Sequence, residues 1–246
     1  MRAFAMIMLV ATPAAAADPV QEGGAILARA AQAAGGSDWI NARTLVLEGR
    51  AVFYAETGAE PKSRAEDYRM WRVFDPARTA AHGADGKVRI LARSKQQTLF
   101  TIGYDGETTW SDRGVMPKAE ADAYWAANFG FGIIRHAAKP GFKAERVPDD
   151  TIGGHPLHMV RLTDPRGAVT LFGIDAKTHA IRTMGFMTPR GWHQRVYDDF
   201  VMLEKPRWLQ ARRVTLYYNG VMANEVFWDK VEVNVPIDPA LFSWRP

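Results

Sequence analysis

The chain has no cysteine. No disulfide can staple it, no thiolate can serve as nucleophile or metal ligand, and no lipid can be attached through a cysteine on export. Serine is scarce: the five serines stand at Ser37, Ser63, Ser94, Ser111 and Ser243, and none lies in a Gly-x-Ser-x-Gly turn. Neither a phosphate-cradling Gly-rich loop nor a dinucleotide fingerprint occurs. Beyond the N-terminal run there is nothing like the roughly 20 consecutive apolar residues of a membrane span. Neither sign of charge dominates, since 31 Lys and Arg face 27 Asp and Glu for a formal charge of +4. The two signs are interleaved, as in Lys62-Ser63-Arg64-Ala65-Glu66-Asp67, which reads as a solvated face; no recognition motif accompanies it, so no nucleic-acid partner is expected.

The remaining chemistry-bearing residues do not assemble into a reaction centre. His155 and His158 are three apart, a spacing that puts them on opposite faces of a strand. His193 lies near Asp198 and Asp199 in sequence, but no third ligand has zinc spacing. Asp149 and Asp150 form a carboxylate pair in an apparent loop, where exposure is the default. The expectation is no metal, no cofactor and no enzyme activity.

What the chain does have is aromatic and apolar mass: 8 Trp, 7 Tyr and 12 Phe in 246 residues, with 47% hydrophobic composition. Residues 1–17, MRAFAMIMLVATPAAAA, carry one early positive charge, a short apolar run and a small-residue end. That is the form of a secretory signal peptide cleaved before Asp18, and it predicts a periplasmic protein. Residues 18–246 show no repeat and no low-complexity linker, so they read as one domain.

Helical spacing of Ile26, Leu27, Ala30, Ala31 and Ala34 predicts a helix over 19–34 stopped by Gly35-Gly36. From Thr44 the period becomes two: Leu45, Leu47, Ala51, Phe53 and Ala55 share a face, while Glu48, Arg50 and Glu56 oppose them. A returning strand over 62–74 follows, then a meander with hairpin turns at Asp85-Gly86 and Asp105-Gly106. Phe100, Ile102 and Tyr104 continue its apolar side. Pro117 to Lys139 breaks the pattern with two helical pieces, the second over Ile133–Lys139, which bring Tyr124, Trp125, Phe129 and Phe131 together as a helical cover. Strands then return over 143–147, 156–163, 168–174, 180–187 and 192–201, and a capped turn at Asp238-Pro239 closes the chain. The total is eleven to thirteen strands.

The longest signal is a hairpin over 208–235 that turns at Asn219-Gly220, where both central residues need φ > 0. A two-residue turn sets Tyr218 opposite Val221, Leu216 opposite Ala223, Val214 opposite Glu225, Arg212 opposite Phe227 and Trp208 opposite Val231. On that register Arg212, Glu225 and Asp229 share the apolar face. A charge there needs a partner, which makes Arg212, held by Glu225 and Asp229, a candidate for a ligand head group. Arms this long exceed the usual strand of about 5 to 6 residues and point to a strongly coiled sheet or barrel.

In order along the chain, the leader, the helix ending at Gly35-Gly36, TLVLEGR (44–50), YDGETTW (104–110), GGHPLHMVRL (153–162), GIDAKTHAIR (173–182), VYDDF (196–200) and VEVNVPIDPALF (231–242) resemble the periplasmic outer-membrane lipoprotein-sorting proteins, the LolA/LolB-like superfamily. The resemblance implies a mainly β, incomplete antiparallel barrel of about eleven strands, lined with apolar side chains and lidded by helices. It also implies a carrier of acyl chains, lipids or lipoproteins, working with an outer-membrane or periplasmic protein. Two departures stand out. Glu204-Lys205-Pro206-Arg207-Trp208 replaces the Gly-hydrophobic-x-Pro step that precedes the long hairpin in such chains, and no arginine aligns with the carriers' functional arginine. The candidate cavity residues are Leu47, Phe53, Phe100, Ile102, Tyr124, Trp125, Phe129, Phe131, Leu216, Tyr218 and Phe227. The alternative, from another class, is a protein-interaction module of the same fold whose core is filled.

Overall fold

The structure, a computed structural model, describes residues 18–95, 97–128 and 131–244. The expected leader over 1–17 and the candidate Phe129 lie outside the described residues. Helix α1 (Pro19–Ala34) starts where Asp18 accepts a hydrogen bond from the Val20 N–H at 2.9 Å, with Pro19 in the first turn. It stops where the N–H groups of Gly35 and Gly36 return to the carbonyls of Gln32 and Ala31, with Gly35 at φ 135°. A short helix α2 (Ser37–Ile40) then buries Trp39.

Two antiparallel meanders follow. The first comprises β1 (Thr44–Tyr54), β2 (Pro61–Val73), β3 (Lys87–Ser94), β4 (Gln97–Tyr104), β5 (Thr109–Ser111) and β6 (Gly114–Val115). Helix α3 (Lys118–Asn128) and a 3-10 turn (Phe131–His136) lead to the second: β7 (Lys143–Ile152), β8 (His155–Thr163), β9 (Val169–Asp175), β10 (Ile181–Thr188), β11 (Gly191–Glu204), β12 (Arg207–Tyr218) and β13 (Val221–Val233). Strand β13 pairs with β1, so the described residues form one 13-stranded sheet in the order β6-β5-β4-β3-β2-β1-β13-β12-β11-β10-β9-β8-β7. Its ends, β6 and β7, are not paired with each other. The architecture is the expected open antiparallel barrel with an N-terminal helix, its thirteen described strands at the upper end of the eleven to thirteen counted in the sequence and above the eleven or so that the resemblance implied.

Helix α1 lies against β7 and β8, and Ile26, Leu27 and Ala30 join Val160, Leu162 and Phe172 in the core. The approach is close enough to require glycine: a Cβ on Gly23 would stand 2.6 Å from the Ala144 carbonyl oxygen. In β1 the inward set Leu45, Leu47, Ala51 and Phe53 keeps its parity through Gly49, where the register slips on both sides.

Three sequence expectations need correction. Asp85-Gly86 is not a hairpin turn; it ends a loop over 74–86, and the Asp85 carboxylate is fully buried. The second helical piece is the 3-10 turn Phe131–His136, not a helix to Lys139. The third concerns the long hairpin. Its turn is as expected, with φ of 49° and 80° at Asn219 and Gly220, but pairing passes from Tyr217↔Met222 to Leu216↔Asn224. Ala223 is thus an extra residue on β13, and one extra residue sends the side chains that follow to the other face, until a second slip between Trp228 and Lys230 returns Val231 and Val233 to the core. Val214 therefore meets Val226, and it is Arg213, not Arg212, that meets Phe227.

A Cβ on Gly49 would lie 1.8 Å from the Phe227 carbonyl oxygen, whereas one on the exposed Gly24 of α1 meets nothing within 4 Å. Gly49→Ala is expected to lower the unfolding free energy by about 1–3 kcal/mol. Gly24→Ala should raise it by about 0.5–1 kcal/mol, both read from denaturant midpoints at unchanged slope.

Candidate functional site

The concave side of the sheet encloses a cavity of about 310 Å³, at the small end of the roughly 300–1,000 Å³ typical of ligand sites. Alternation in the strands builds its walls. Strand β1 supplies Leu45, Leu47 and Phe53; β2 supplies Tyr68, Met70 and Arg72; Ile90 and Phe100 come from β3 and β4. The wall continues through Asn224, Val226 and Trp228 of β13, beside β1, to Trp208, Val214 and Leu216 of β12 and Arg195, Tyr197 and Phe200 of β11. Trp39 of α2 closes part of the space, and Tyr124, Asn128, Phe131 and Arg135 reach it from α3 and the 3-10 turn.

Of the sequence candidates, Leu47, Phe53, Phe100, Tyr124, Phe131 and Leu216 line this space. Ile102 and Trp125 are buried in the surrounding core, where the Trp125 indole N–H donates to Thr109 Oγ1 at 2.8 Å. Tyr218 is buried between His193 and the end of α3 and does not line the cavity. The Ala223 bulge turns Phe227 to the convex face, under the guanidinium groups of Arg50 and Arg213 at 4.8 and 6.0 Å. The head-group constellation is corrected in the same way. Arg212 pairs with Asp199 at 2.8 Å and Asp229 with Arg50 at 2.7 Å, both in solvent. Glu225 is held by Arg213 at 2.6 Å and by the Tyr54 hydroxyl at 2.8 Å.

The charges that do reach the cavity are Arg72, Arg135 and Arg195, with no carboxylate among the lining residues. Two of them converge on Asp85, whose Oδ2 lies 2.6 Å from Arg72 Nη2, 3.0 Å from Arg78 Nη1 and 4.0 Å from Arg135 Nη2. Burial alone would raise the Asp85 pKa, but Arg72, Arg78 and Arg135 outweigh it and hold the carboxyl below its usual range. The same burial pulls Arg72 and Arg78 down, and with the repulsion of Arg72 it lowers Arg135 to about 9. The Phe74 ring is shared by the guanidinium groups of Arg135 and Arg72, at 3.6 and 4.8 Å.

Arg195 does different work. Its Nη2 donates to the Asn128 carbonyl at 2.5 Å and its Nε to His193 Nε2 at 3.2 Å. An arginine only donates, so Nε2 accepts and the His193 proton sits on Nδ1, 3.3 Å from the Tyr218 hydroxyl. That hydroxyl donates in turn to the Ala127 carbonyl at 3.4 Å. The sheet thereby caps two carbonyls at the C-terminal end of α3, which a helix leaves without intrahelical partners. Within α3 the buried residues are Ala121 and Trp125, so these polar contacts are a large part of what seats it.

His82 lies 3.1 Å from the Thr170 hydroxyl, whereas both ring nitrogens of His136 are buried without a hydrogen-bond partner. His158 and His155 face Asp149 and Asp175 at 3.1 and 3.4 Å, and Asp198, expected near His193, pairs with Arg182 instead. No three His, Cys, Asp or Glu residues are gathered for a metal among the described residues. Sequence reasoning missed Arg72, Asp85, Arg135 and Arg195. A signal existed for one: Arg72 shares parity with Tyr68, Met70 and Phe74, and a charge in the apolar phase of a strand requires an explanation.

The geometry defines a class, an open antiparallel half-barrel whose concavity is partly closed by helices. Comparison with solved structures gives the particular fold. A domain assigned to outer membrane lipoprotein sorting, from Vibrio parahaemolyticus, superposes with a TM-score of 0.56 at 8% identity, over 91% of this chain and 97% of that one. A DUF1329 family protein from Desulfovibrio piger gives 0.55 at 9% identity over 92% and 98%. A LolA superfamily protein from Nitrosomonas europaea gives 0.54 at 10% identity over 90% and 97%. The fold is LolA-like. No family model and no curated protein matches the chain in sequence.

Two predictions follow from the buried charges. Asp85→Ala leaves Arg72, Arg78 and Arg135 without their shared carboxylate and is expected to cost about 3–5 kcal/mol, while Asp229→Ala, on an exposed pair, should leave the unfolding midpoint nearly unchanged. The second concerns acid. Burial and Arg195 push His193 down to about 2, and burial, Lys139 and Arg135 push His136 down to about 4. Below about pH 6.5 the unfolded chain takes up protons that the folded one refuses, so stability is full above that value and falls as pH drops. Thermal midpoints should decline between about pH 7 and pH 5, and His136→Leu should flatten the decline.

Proposed function

We propose that this protein is a non-enzymatic periplasmic carrier or sensor that holds an acyl chain, a lipid or the lipidated end of a lipoprotein in its half-barrel. One observation carries the reading: the LolA-like fold encloses unfilled space of about 310 Å³ behind apolar walls. Leu47, Phe53, Phe100 and Leu216 are the proposed chain contacts on the sheet, with Tyr124 and Phe131 on the cover. Helix α3 suits a removable cover, since its fully buried residues are Ala121 and Trp125 and its C-terminal end is tied to the sheet by Arg195 and Tyr218.

Export is proposed from the leader at 1–17, with residues 18–246 as the mature LolA-like domain. Cleavage before Asp18 would leave the cap of α1 intact. No helix among the described residues is long and apolar enough to cross a membrane. Delivery to or from an outer-membrane or periplasmic protein partner belongs to the same reading, with no nucleic acid and no cofactor involved. The interaction-module alternative requires a filled interior, which the cavity disfavours.

Native mass spectrometry of the purified protein, with lipid extraction, is expected to find bound acyl-chain species. Met70→Trp, placed midway along the β2 wall, should preserve the circular dichroism spectrum and deplete those species severalfold. Wild-type protein that binds no acyl-chain species, either from cells or when offered them in vitro, would refute the carrier reading.

A further inference from the structure

The β2 wall gives the cavity a direction. Tyr68, Met70 and Arg72 line it in succession, and the four-residue step from Tyr68 to Arg72 spans about 13 Å of strand. One end is aromatic: Phe53 packs edge-on against Tyr68 and Phe100 at 6.2 and 5.7 Å. The other end is cationic, where Arg72 and Arg135 share the Phe74 ring beside Trp208.

Counter-charge at the cationic end is incomplete. Asp85 is engaged at 2.6 Å by Arg72 and at 3.0 Å by Arg78, and it reaches Arg135 only at 4.0 Å. Arg78 has further acceptors in the carbonyls of Ala80 and Ala81 at 2.8 and 2.5 Å. Arg135 is the residue left over. Its side chain is 4% exposed, it faces the cavity, and its Nη1 is buried without a hydrogen-bond partner. Across the space Arg195 also lacks a carboxylate within 4.0 Å among the described residues, and it repels Arg72. A buried guanidinium with an idle donor, in a cavity whose charged lining residues, among those described, are all arginines, is costly until an anion arrives.

We infer that the Arg72–Arg135 end of the cavity is an anion site that takes the oxyanion head, carboxylate or phosphate, of a single-chain amphiphile whose tail runs past Met70 toward Phe53 and Phe100. The inference rests on the carrier reading above and adds the chemical class of the guest. Arg135 is the specific contact, its Nη1 donating to the head-group oxygen in a charge-assisted hydrogen bond. Gly132 lets the 3-10 turn that carries Arg135 pack directly on the charge cluster: a Cβ there would stand 2.8 Å from Asp85 Oδ2 and 2.9 Å from Arg78 Nη1.

The test is displacement of N-phenylnaphthylamine from the delipidated protein by hexadecanoate, hexadecyl phosphate and the neutral hexadecanol. At least one anion is expected to bind about tenfold or more tighter than the alcohol, the anion that does so identifying the head group. Arg135→Met should bring that ratio close to unity, and Arg135→Lys should restore part of it. Equal displacement by all three in the wild type overturns the anion site and leaves the carrier reading standing. Displacement by none of them, with no direct binding of the three by calorimetry, removes the carrier reading itself. An unchanged ratio in a folded Arg135→Met protein also overturns the assignment, and should that variant not fold, the wild-type ratio decides.

Discussion

Pairing of β1 with β13 is the constraint on which the rest of the structure depends. Each meander alone is a run of neighbouring hairpins with one apolar face, which helix α1 covers only in part, over β7 and β8. The ladder from Leu45↔Val233 to Phe53↔Asn224 joins them into a single sheet, and the right-handed twist of so many long strands then curls that sheet on itself. The join is clamped at its start, where Asn234 Oδ1 accepts from the Arg43 N–H at 2.8 Å and the Thr44 hydroxyl donates to the Val235 carbonyl at 2.7 Å. Because the two partners lie almost a whole chain apart, the defining contact is among the most costly in loop entropy, which places the fold in the slow class of β proteins.

Curling brings residues of unlike character face to face. Leu47, Met70 and Leu216 would make an ordinary apolar core, yet Arg72 and Arg195 arrive in the same space because parity and strand order put them there. The protein manages this with local neutralisation, Asp85 serving Arg72 and Arg78 through Oδ2 while its Oδ1 accepts from the Asp75 N–H at 3.2 Å. It also uses aromatic faces, with Phe74 beneath two guanidinium groups. Histidine is kept neutral: His193, stacked on Phe186 at 4.6 Å, acts as a polar link between Arg195 and Tyr218 and carries no charge of its own. The cover is thus seated by directional bonds at one end as well as by the burial of Ala121 and Trp125.

How much of this was legible in the sequence depends on how local its cause is. Helix α1, with Asp18 before it and Gly35-Gly36 after it, could be read directly, as could the Asn219-Gly220 turn, because caps and primed turns are settled by the residues in them. The inward set of β1 was legible from its alternation and a coiled sheet or barrel from the length of the hairpin arms, whereas the openness of the barrel came from the family resemblance. The face of the long hairpin was not legible. Ala223 carries no mark of a bulge, and the slip it makes is set by where β1 holds β13, a contact no local window contains. Asp85-Gly86 has hairpin chemistry but spends it differently, since the carboxylate goes to arginines from β2, the following loop and the 3-10 turn. The cavity arginines are long-range features of the same kind, and of them Arg72 alone announced itself by parity.

The unpaired ends β6 and β7 have a consequence for capacity. In a closed barrel the radius is dictated by strand number and shear, so the bore is a constant of the fold. Here the described sheet has two free margins, and its bore is set by curvature alone. Bending the sheet flatter or tighter would enlarge or shrink the interior while the interstrand hydrogen bonds keep their register, so the volume of the concavity is not fixed by the strand count.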